Sequence, residues 1–304
     1  MNNKELKVFG KDISDVLWEI VKDVLLVLFV FICVYPFYYV IIYSLSDPQL
    51  ASRGVYFWPR GFTLQNFKEV LGLGDLGHAF LVSVTRTVLG TLVTVLCTTL
   101  LAYQVTKDFW GRKVCYRFII ITMYTGGGLI PWYLVMTAYG FTNSFLAYIV
   151  PGAVAAGNMI LVKTFIEQLP ASLEESAAIE GAGFYTTFFK IIIPLSKPII
   201  ATIAVYRMVS QWNSWKDNYF LNSKKSLMTM QLVLRNYLTQ AQKLANMMAD
   251  ENNIMAEDLL LQSTVTPESV RMTAVVVTML PIMLVYPFAQ KYFTKGIMMG
   301  AVKG

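Results

Sequence analysis

Apolar and polar residues fall in long blocks along this chain, not at the period of a soluble helix or strand. From Val24 to Ser46 there are 23 residues without a charge, and about 20 apolar residues suffice for a helix to cross the hydrocarbon core of a bilayer. This predicts a first span at 24–46, with Pro36 as a kink site. Ala79–Thr106 carries one charge, Arg86, and predicts a second span at 79–106. Phe118–Val162 is 45 residues with no charge, enough for two spans. The turn formers Tyr139-Gly140-Phe141-Thr142-Asn143 divide it, which places spans at 118–138 and 144–165. A short fifth span covers 198–212 and contains Arg207, and a sixth covers 272–290. The predicted fold is all-α and polytopic, with six transmembrane helices in a single domain over 1–304.

Six spans put both termini on one side, and basic residues choose which. With the termini inside, the inner segments hold 14 Lys and Arg against 8 in outer segments of comparable or greater length. The short loop 105–117, with Lys107, Arg112, Lys113 and Arg117, contributes most locally. Both termini and the segment between spans 4 and 5 are therefore expected in the cytoplasm. Within the long outer loop, Leu227–Leu244 and Asn253–Leu261 are expected to form helices.

Composition agrees. The 304 residues are 56% hydrophobic and 14% charged, where soluble domains carry about 25% charged residues. Mean hydropathy is +0.52. The net charge of +6 sits at the ends of apolar runs, the pattern of membrane topology and not of nucleic-acid binding. Cys33, Cys97 and Cys115 follow no metal or redox spacing, and the single histidine, His78, supports neither a metal cluster nor a triad. Met1–Asp23 mixes lysines with acids and lacks the signature of a signal peptide. No Gly-x-x-x-x-Gly-Lys-Ser/Thr pattern occurs, so the expectation is that this chain is not an enzyme, binds no cofactor, and leaves any ATP and Mg to another subunit.

One polar stretch interrupts the apolar blocks. Ser172-Leu173-Glu174-Glu175 fits a capping box, with Ser172 as N-cap and Glu175 reaching back. Gly181 stands where a helix C-cap glycine belongs, so Leu173–Glu180 reads as a two-turn helix. A second helical stretch follows Gly183 and ends at Pro194, with Phe184, Phe188 and Ile191 at helical spacing. The small residues Ser176, Ala177 and Ala178 would permit close approach by a soluble partner.

Here a resemblance becomes specific. Glu175-Ser176-Ala177, three residues, Gly181, nine residues, then Ile191-Ile192-Ile193-Pro194 resembles the Glu-Ala-Ala…Gly…Ile-x-Leu-Pro pattern of permeases in binding-protein-dependent ABC importers. Ser176 and Ile193 are mild departures. The six spans and the ending Gly296–Gly304 resemble the carbohydrate-uptake, MalG-like branch. Gly127-Gly-Leu-Ile-Pro131, Trp212-Asn-Ser-Trp215 and Tyr286–Phe293 resemble more narrowly the LplC/YtcP-type permeases for poly- and oligosaccharides. The resemblance implies a permease subunit of a saccharide importer in a bacterial plasma membrane. Its implied partners are a second permease subunit, two ATPase subunits and an extracellular solute-binding protein. It also implies that Glu175, Ser176, Ala177, Gly181, Ile191 and Pro194 form the ATPase-coupling loop, and that Gly300, Lys303 and Gly304 contact the ATPase pair. A permease for another solute, or an ATPase-independent transporter, is the alternative; the lack of any carboxylate in the predicted spans counts against proton coupling.

Candidate residues for the substrate path are Tyr124, Tyr133, Asn158, Arg207, Trp212, Asn213 and Trp215. Arg86 and Arg207 face either a cavity or partner, or snorkel to the membrane surface. Trp212 and Trp215 either stack on sugar rings or belong to an interfacial aromatic belt. Gly126-Gly127-Gly128 reads as a close-packing or kink site.

Overall fold

The computed structural model describes residues 7–8, 11–72, 75–248 and 266–301. These are helical apart from short connections and a two-residue antiparallel pair, Lys7–Val8 with Lys11–Asp12. The helices are α1 Ile13–Ser44, α2 Pro48–Ala51, α3 Gln65–Leu71, α4 Leu76–Thr106, α5 Arg112–Tyr124, α6 Leu129–Ala138, α7 Ala156–Ile166 and α8 Ser172–Ile179. They continue with α9 Phe184–Leu195, α10 Lys197–Asn213, α11 Lys216–Leu221, α12 Met230–Met248 and α13 Pro267–Ala301. Three of them, α1, α4 and the Pro267–Pro287 part of α13, are long and apolar enough to cross a membrane alone, and two bent pairs raise the number to five.

Two expected spans are broken. The stretch 118–138 is interrupted at Thr125–Gly128, where Gly128 adopts φ +74°. A Cβ at Gly126 or Gly128 would meet nothing within 4 Å. The glycines therefore serve the break and not close packing. The stretch 144–165 is α-helical only from Ala156; before it lie two short 3-10 turns, Phe145–Tyr148 and Val150–Gly152. Pro151 has no N–H to continue a helix. The stretch 198–212, expected as a span, is helical as α10, and α1 continues as one helix through Pro36. The helix expected at Leu227–Leu244 is observed as α12, while Asn253–Leu261 lies outside the described residues.

The chain divides into two compact units. One comprises Met1–Gly72 and Ala241–Val277, the other Leu73–Gln240 and Thr278–Gly304. In the first, Ile42, Tyr43, Ala51 and Val55 form a small core with Met272 packed against it. Asn66 is fully buried and donates to the carbonyls of Ser44 and Ser46 at 2.9 Å each, satisfying the open C-terminal end of α1. Asp47 caps α2 by accepting from the N–H groups of Gln49 and Leu50.

In the second unit α4 is the central post. Its buried face is a stripe of small residues, Ser83, Thr87, Gly90, Thr91, Thr94, Thr98 and Ala102, at the three- and four-residue spacing of one helix face. Small side chains let backbones approach closely. The threonines also supply hydrogen bonds to irregular backbone. Thr94 donates to the Gly152 carbonyl at 2.6 Å, and the Ala155 N–H donates to Thr98 at 3.2 Å. Backbone freed from a helix at membrane depth must find such partners.

Gly90 shows how tight this packing is. A Cβ there would stand 2.8 Å from the Gln211 Cδ. Gln211 is 2% exposed and held at both ends, accepting from Arg86 and donating to the Tyr148 carbonyl, so it has little room to yield. Overpacking of this kind costs about 1–3 kcal/mol. Gly90→Ala is expected to lower the unfolding temperature of the detergent-purified protein. Gly77→Ala, where a Cβ would meet nothing within 4 Å, is expected to be neutral or stabilising by up to about 1 kcal/mol. Equal melting of the two variants would contradict the tight α4 contact.

Candidate functional site

Two places in the second unit gather candidate residues: the loop carrying α8 and α9, and a cleft beside α4 and α10.

The α8 helix starts one residue earlier than the capping box requires. The Leu173 N–H donates to the Pro170 carbonyl, and those of Glu174 and Glu175 donate to Ala171. Ala171 is the N-cap and makes no side-chain cap bond. With these backbone donors satisfied, Ser172 has no cap to make, and Glu175 stands exposed instead of reaching back. The C-terminal end is as expected. Gly181 has φ +79°; its N–H donates to Ala178 at 3.0 Å and the Ala182 N–H to Ala177 at 2.9 Å. This bond pair is a Schellman closure, in which glycine accepts the left-handed conformation without a Cβ penalty.

The back of α8 is fastened to α4. Glu174 pairs with Lys107 at the α4 terminus, and Ala177 is buried. Ala177 therefore packs inside this chain and does not face outward. Burial pushes the Lys107 ammonium below the usual lysine range, and the Tyr103 ring lies 4.6 Å from it. Phe184 and Phe188 stack on Tyr103 with ring centroids at 4.8 and 5.5 Å. Below them lies a core of Ala102, Tyr103, Met159, Val162, Ile166, Phe188, Ile192 and Ile203. Ile191, at helical spacing with Phe184 and Phe188 in the sequence, is half-buried, while Ile192 is buried in this core. Residues Phe188–Ile192 form a π-helical turn, and a wider turn brings the fourth residue, not the third, back to the same face. Pro194 is exposed near the end of α9. What remains outward is Glu175, Ser176, Ile179 at 87% exposure, Tyr185 and Phe189.

The cleft encloses about 420 Å³ and includes Gly128, Trp132, Gly152, Arg207, Ser210, Ser214 and Lys216 in its lining. Arg86 closes its base. Its side chain is 2% exposed and does not snorkel: it is ion-paired with Asp217. It also donates to Gln211 Oε1 at 2.9 Å and to the Ser214 carbonyl at 3.2 Å, and lies 4.5 Å above the Tyr148 ring. Asp217 accepts in addition from the Ser214 hydroxyl and the Asn218 N–H. Asp217 was not among the sequence candidates. Its signal is faint: it is the only carboxylate between Glu180 and Asp250.

Of the seven path candidates, the cleft contains only Arg207. Tyr124 and Tyr133 are exposed and Asn158 is half-buried. Trp212 is 6% exposed, donates to the Thr278 carbonyl at 3.0 Å and meets Phe80 edge-on; it lines a separate apolar pocket and not this cleft. Trp215 lies under the Arg235 guanidinium at 3.3 Å, and Asn213 is exposed. In the C-terminal segment, Gly300 belongs to α13, which continues as helix to Ala301, past the 290 expected as the end of the last span; Lys303 and Gly304 lie outside the described residues. Among the described residues no group of His, Cys, Asp or Glu could hold a metal ion.

Comparison with known proteins agrees with this geometry. Residues 95–299 match the family model described as binding-protein-dependent transport system inner membrane component. The chain is 34% identical over 281 residues to the polygalacturonan/rhamnogalacturonan transport system permease protein YtcP of Bacillus subtilis, covering 92% of this chain and 96% of that one. It is 36% identical to Protein LplC of the same organism, covering 90% of each. Among solved structures, a bacterial ABC transporter involved in the import of the acidic polysaccharide alginate superposes with a TM-score of 0.79 at 28% identity, over 93% of this chain and 99% of that chain.

The buried ion pair makes a measurable claim. Removing one partner of such a pair leaves the other uncompensated and costs about 3–5 kcal/mol. Asp217→Asn should therefore markedly lower the unfolding temperature. Asp108→Asn, which breaks the exposed Arg112 pair where Asp108 is 97% exposed, should change stability by no more than about 1 kcal/mol. Indistinguishable melting of the two variants would show that the Arg86 charge does not need Asp217.

Proposed function

The chain belongs to the binding-protein-dependent transport system inner membrane component family, and from that premise we propose that it is a permease subunit of an ABC importer for oligo- or polysaccharides. The α8–α9 loop carries the reading. It is clamped from behind by Lys107–Glu174 and by the Tyr103 stack, and it turns Glu175, Ser176 and Ile179 outward. Exposed apolar groups beside a carboxylate on a rigid loop suit a protein partner. We take that partner to be an ATPase subunit, with ATP and Mg bound there and none bound by this chain. The saccharide class rests on the kinship with YtcP, whose name states a polygalacturonan and rhamnogalacturonan cargo.

In this reading the membrane is that of a bacterial cell, crossed six times. The crossings are α1, α4, α5 with α6, the 3-10 turns with α7, α10 and α13. An 82° bend separates α9 from α10, which suits α9 lying along the membrane face while α10 crosses. The 17 residues of α10 span about 25 Å at 1.5 Å per residue. Both termini and the α8 loop are cytoplasmic, in keeping with the basic bias of the inner segments. A second permease subunit and an extracellular binding protein complete the importer, and the end of α13 with Gly300, Lys303 and Gly304 reaches toward the ATPase pair.

Transport then needs no chemistry in this chain. The two states of the permease differ in stability, and the ATPase cycle biases them. ATPase closure moves α8; α8 is fixed to the end of α4; α4 carries the displacement to the cleft.

Gly181→Asp, which forces a side chain into a left-handed position, and Glu175→Lys, which reverses the outward charge, are expected to insert at normal levels. Both should abolish substrate-stimulated ATP hydrolysis in the assembled importer. Full stimulation in both variants would rule out α8 as the coupling element. Orientation is checked separately: Ser172→Cys should resist an impermeant thiol reagent applied to intact cells and react after permeabilisation, and the reverse pattern would invert the topology.

A further inference from the structure

Arg207 is the charge that the fold does not account for. It lies within α10, eleventh of its 17 residues. A charge within a membrane span is costly unless it meets a partner, water or a ligand. Arg86, in the lining of the same cleft, has Asp217, Gln211 and a carbonyl. Arg207 has no ion pair or hydrogen bond among the described residues, and its Nε is buried without a partner. Three cationic side chains, Arg86, Arg207 and Lys216, line the cleft with one carboxylate, Asp217, and Arg86 already holds that carboxylate.

The position of Arg207 is built. A Cβ on Gly152 would stand 2.7 Å from the guanidinium carbon, so the absence of a side chain there makes the seat for it. Gly152 is itself fixed, its carbonyl accepting from Thr94. The same cleft is lined by Ser210, Ser214 and the half-buried Trp132. A seated guanidinium presents a planar fork of donors matched to a carboxylate. Serine hydroxyls and an indole face suit the rest of a sugar.

We propose that Arg207 forms a subsite for the carboxylate of a transported sugar acid, so that the cargo is an acidic saccharide. This rests on the saccharide-importer reading and narrows it. The guanidinium attracts the acid by charge and fixes its orientation in the path, while the Arg86–Asp217 pair, neutral as a unit, keeps the second arginine from competing for it.

The test uses the complete importer in proteoliposomes with its binding protein. The probes are trigalacturonate and its methyl ester, which differ in carboxylate charge. The wild type is expected to take up the acid at least tenfold better than the ester. Arg207→Gln should reduce that preference at least tenfold through a higher KM for the acid, and Arg207→Lys should keep part of it. Gly152→Ala, which retains the charge but displaces the guanidinium, should also lower the preference. An unchanged preference in an assembled Arg207→Gln importer overturns the subsite and leaves the saccharide reading standing. Failure of Arg207→Gln to assemble also overturns it, because the charge then meets a neighbouring subunit and not a ligand. Better uptake of the ester than of the acid overturns the carboxylate subsite and the acidic class with it. Uptake of neither probe, with a neutral oligosaccharide taken up, overturns the subsite and leaves the saccharide reading standing; uptake of no saccharide at all overturns both.

Discussion

A guanidinium inside an apolar helix has to be neutralised, and around Arg86 much of the second unit is arranged to do so. The helix that carries it offers no anion, so the charge draws in groups from elsewhere in the chain. Asp217 comes from α11, Gln211 from α10, the Ser214 carbonyl from the bend between them, and the Tyr148 ring from a 3-10 turn. Each of these places a further constraint. Gln211 must reach the Tyr148 carbonyl as well, which requires a glycine opposite it at position 90. The bend after α10 must expose one carbonyl inward. A buried pair of this kind is weak evidence for net stability, but breaking it is severe, and this makes it a device for fixing how these segments meet.

The same post, α4, ends at the other candidate site. Tyr103 stacks with both phenylalanines of α9, and Lys107 reaches Glu174 of α8. One helix thus touches the cleft through Arg86 and the α8 loop through its last turn. The 21 residues between Arg86 and Lys107 rise about 30 Å at 1.5 Å per residue. A rigid helix is a simple carrier of displacement over that length, and no chain of rearranging side chains is needed.

The membrane explains the irregular backbone too. Threonines on α4 are placed where the chain around Gly152 and Ala155 leaves helical geometry, and they supply the hydrogen bonds that lipid cannot. The broken helix around residues 145–155 is therefore tolerated because a polar helix face lies beside it. At the break over 125–128, Gly126 and Gly128 have open space around them, and Gly128 takes a positive φ that a side chain would disfavour.

The sequence by itself determined the elements that depend on local or one-dimensional physics. Long uncharged runs specify helices that suit lipid, and α1, α4, α10 and α13 were legible from length and charge alone. The end of α8 was legible because Gly181 answers a purely local need for positive φ. The family itself was legible because the residues that carry the resemblance are fixed in spacing along the chain. Only the tertiary structure decided what each face meets. Whether Arg86 snorkels or pairs depended on Asp217, 131 residues away and unremarkable in its own segment. Ala177 and Ile192 were turned inward by packing on α4 and by a π turn, neither of which leaves a mark in hydrophobic spacing. Trp212, Trp215 and Arg207 share one stretch of sequence, yet two are occupied by contacts within the chain and one is left open. Residue type sets what a side chain can do; the distant segments that fold against it decide whether it is free to do so.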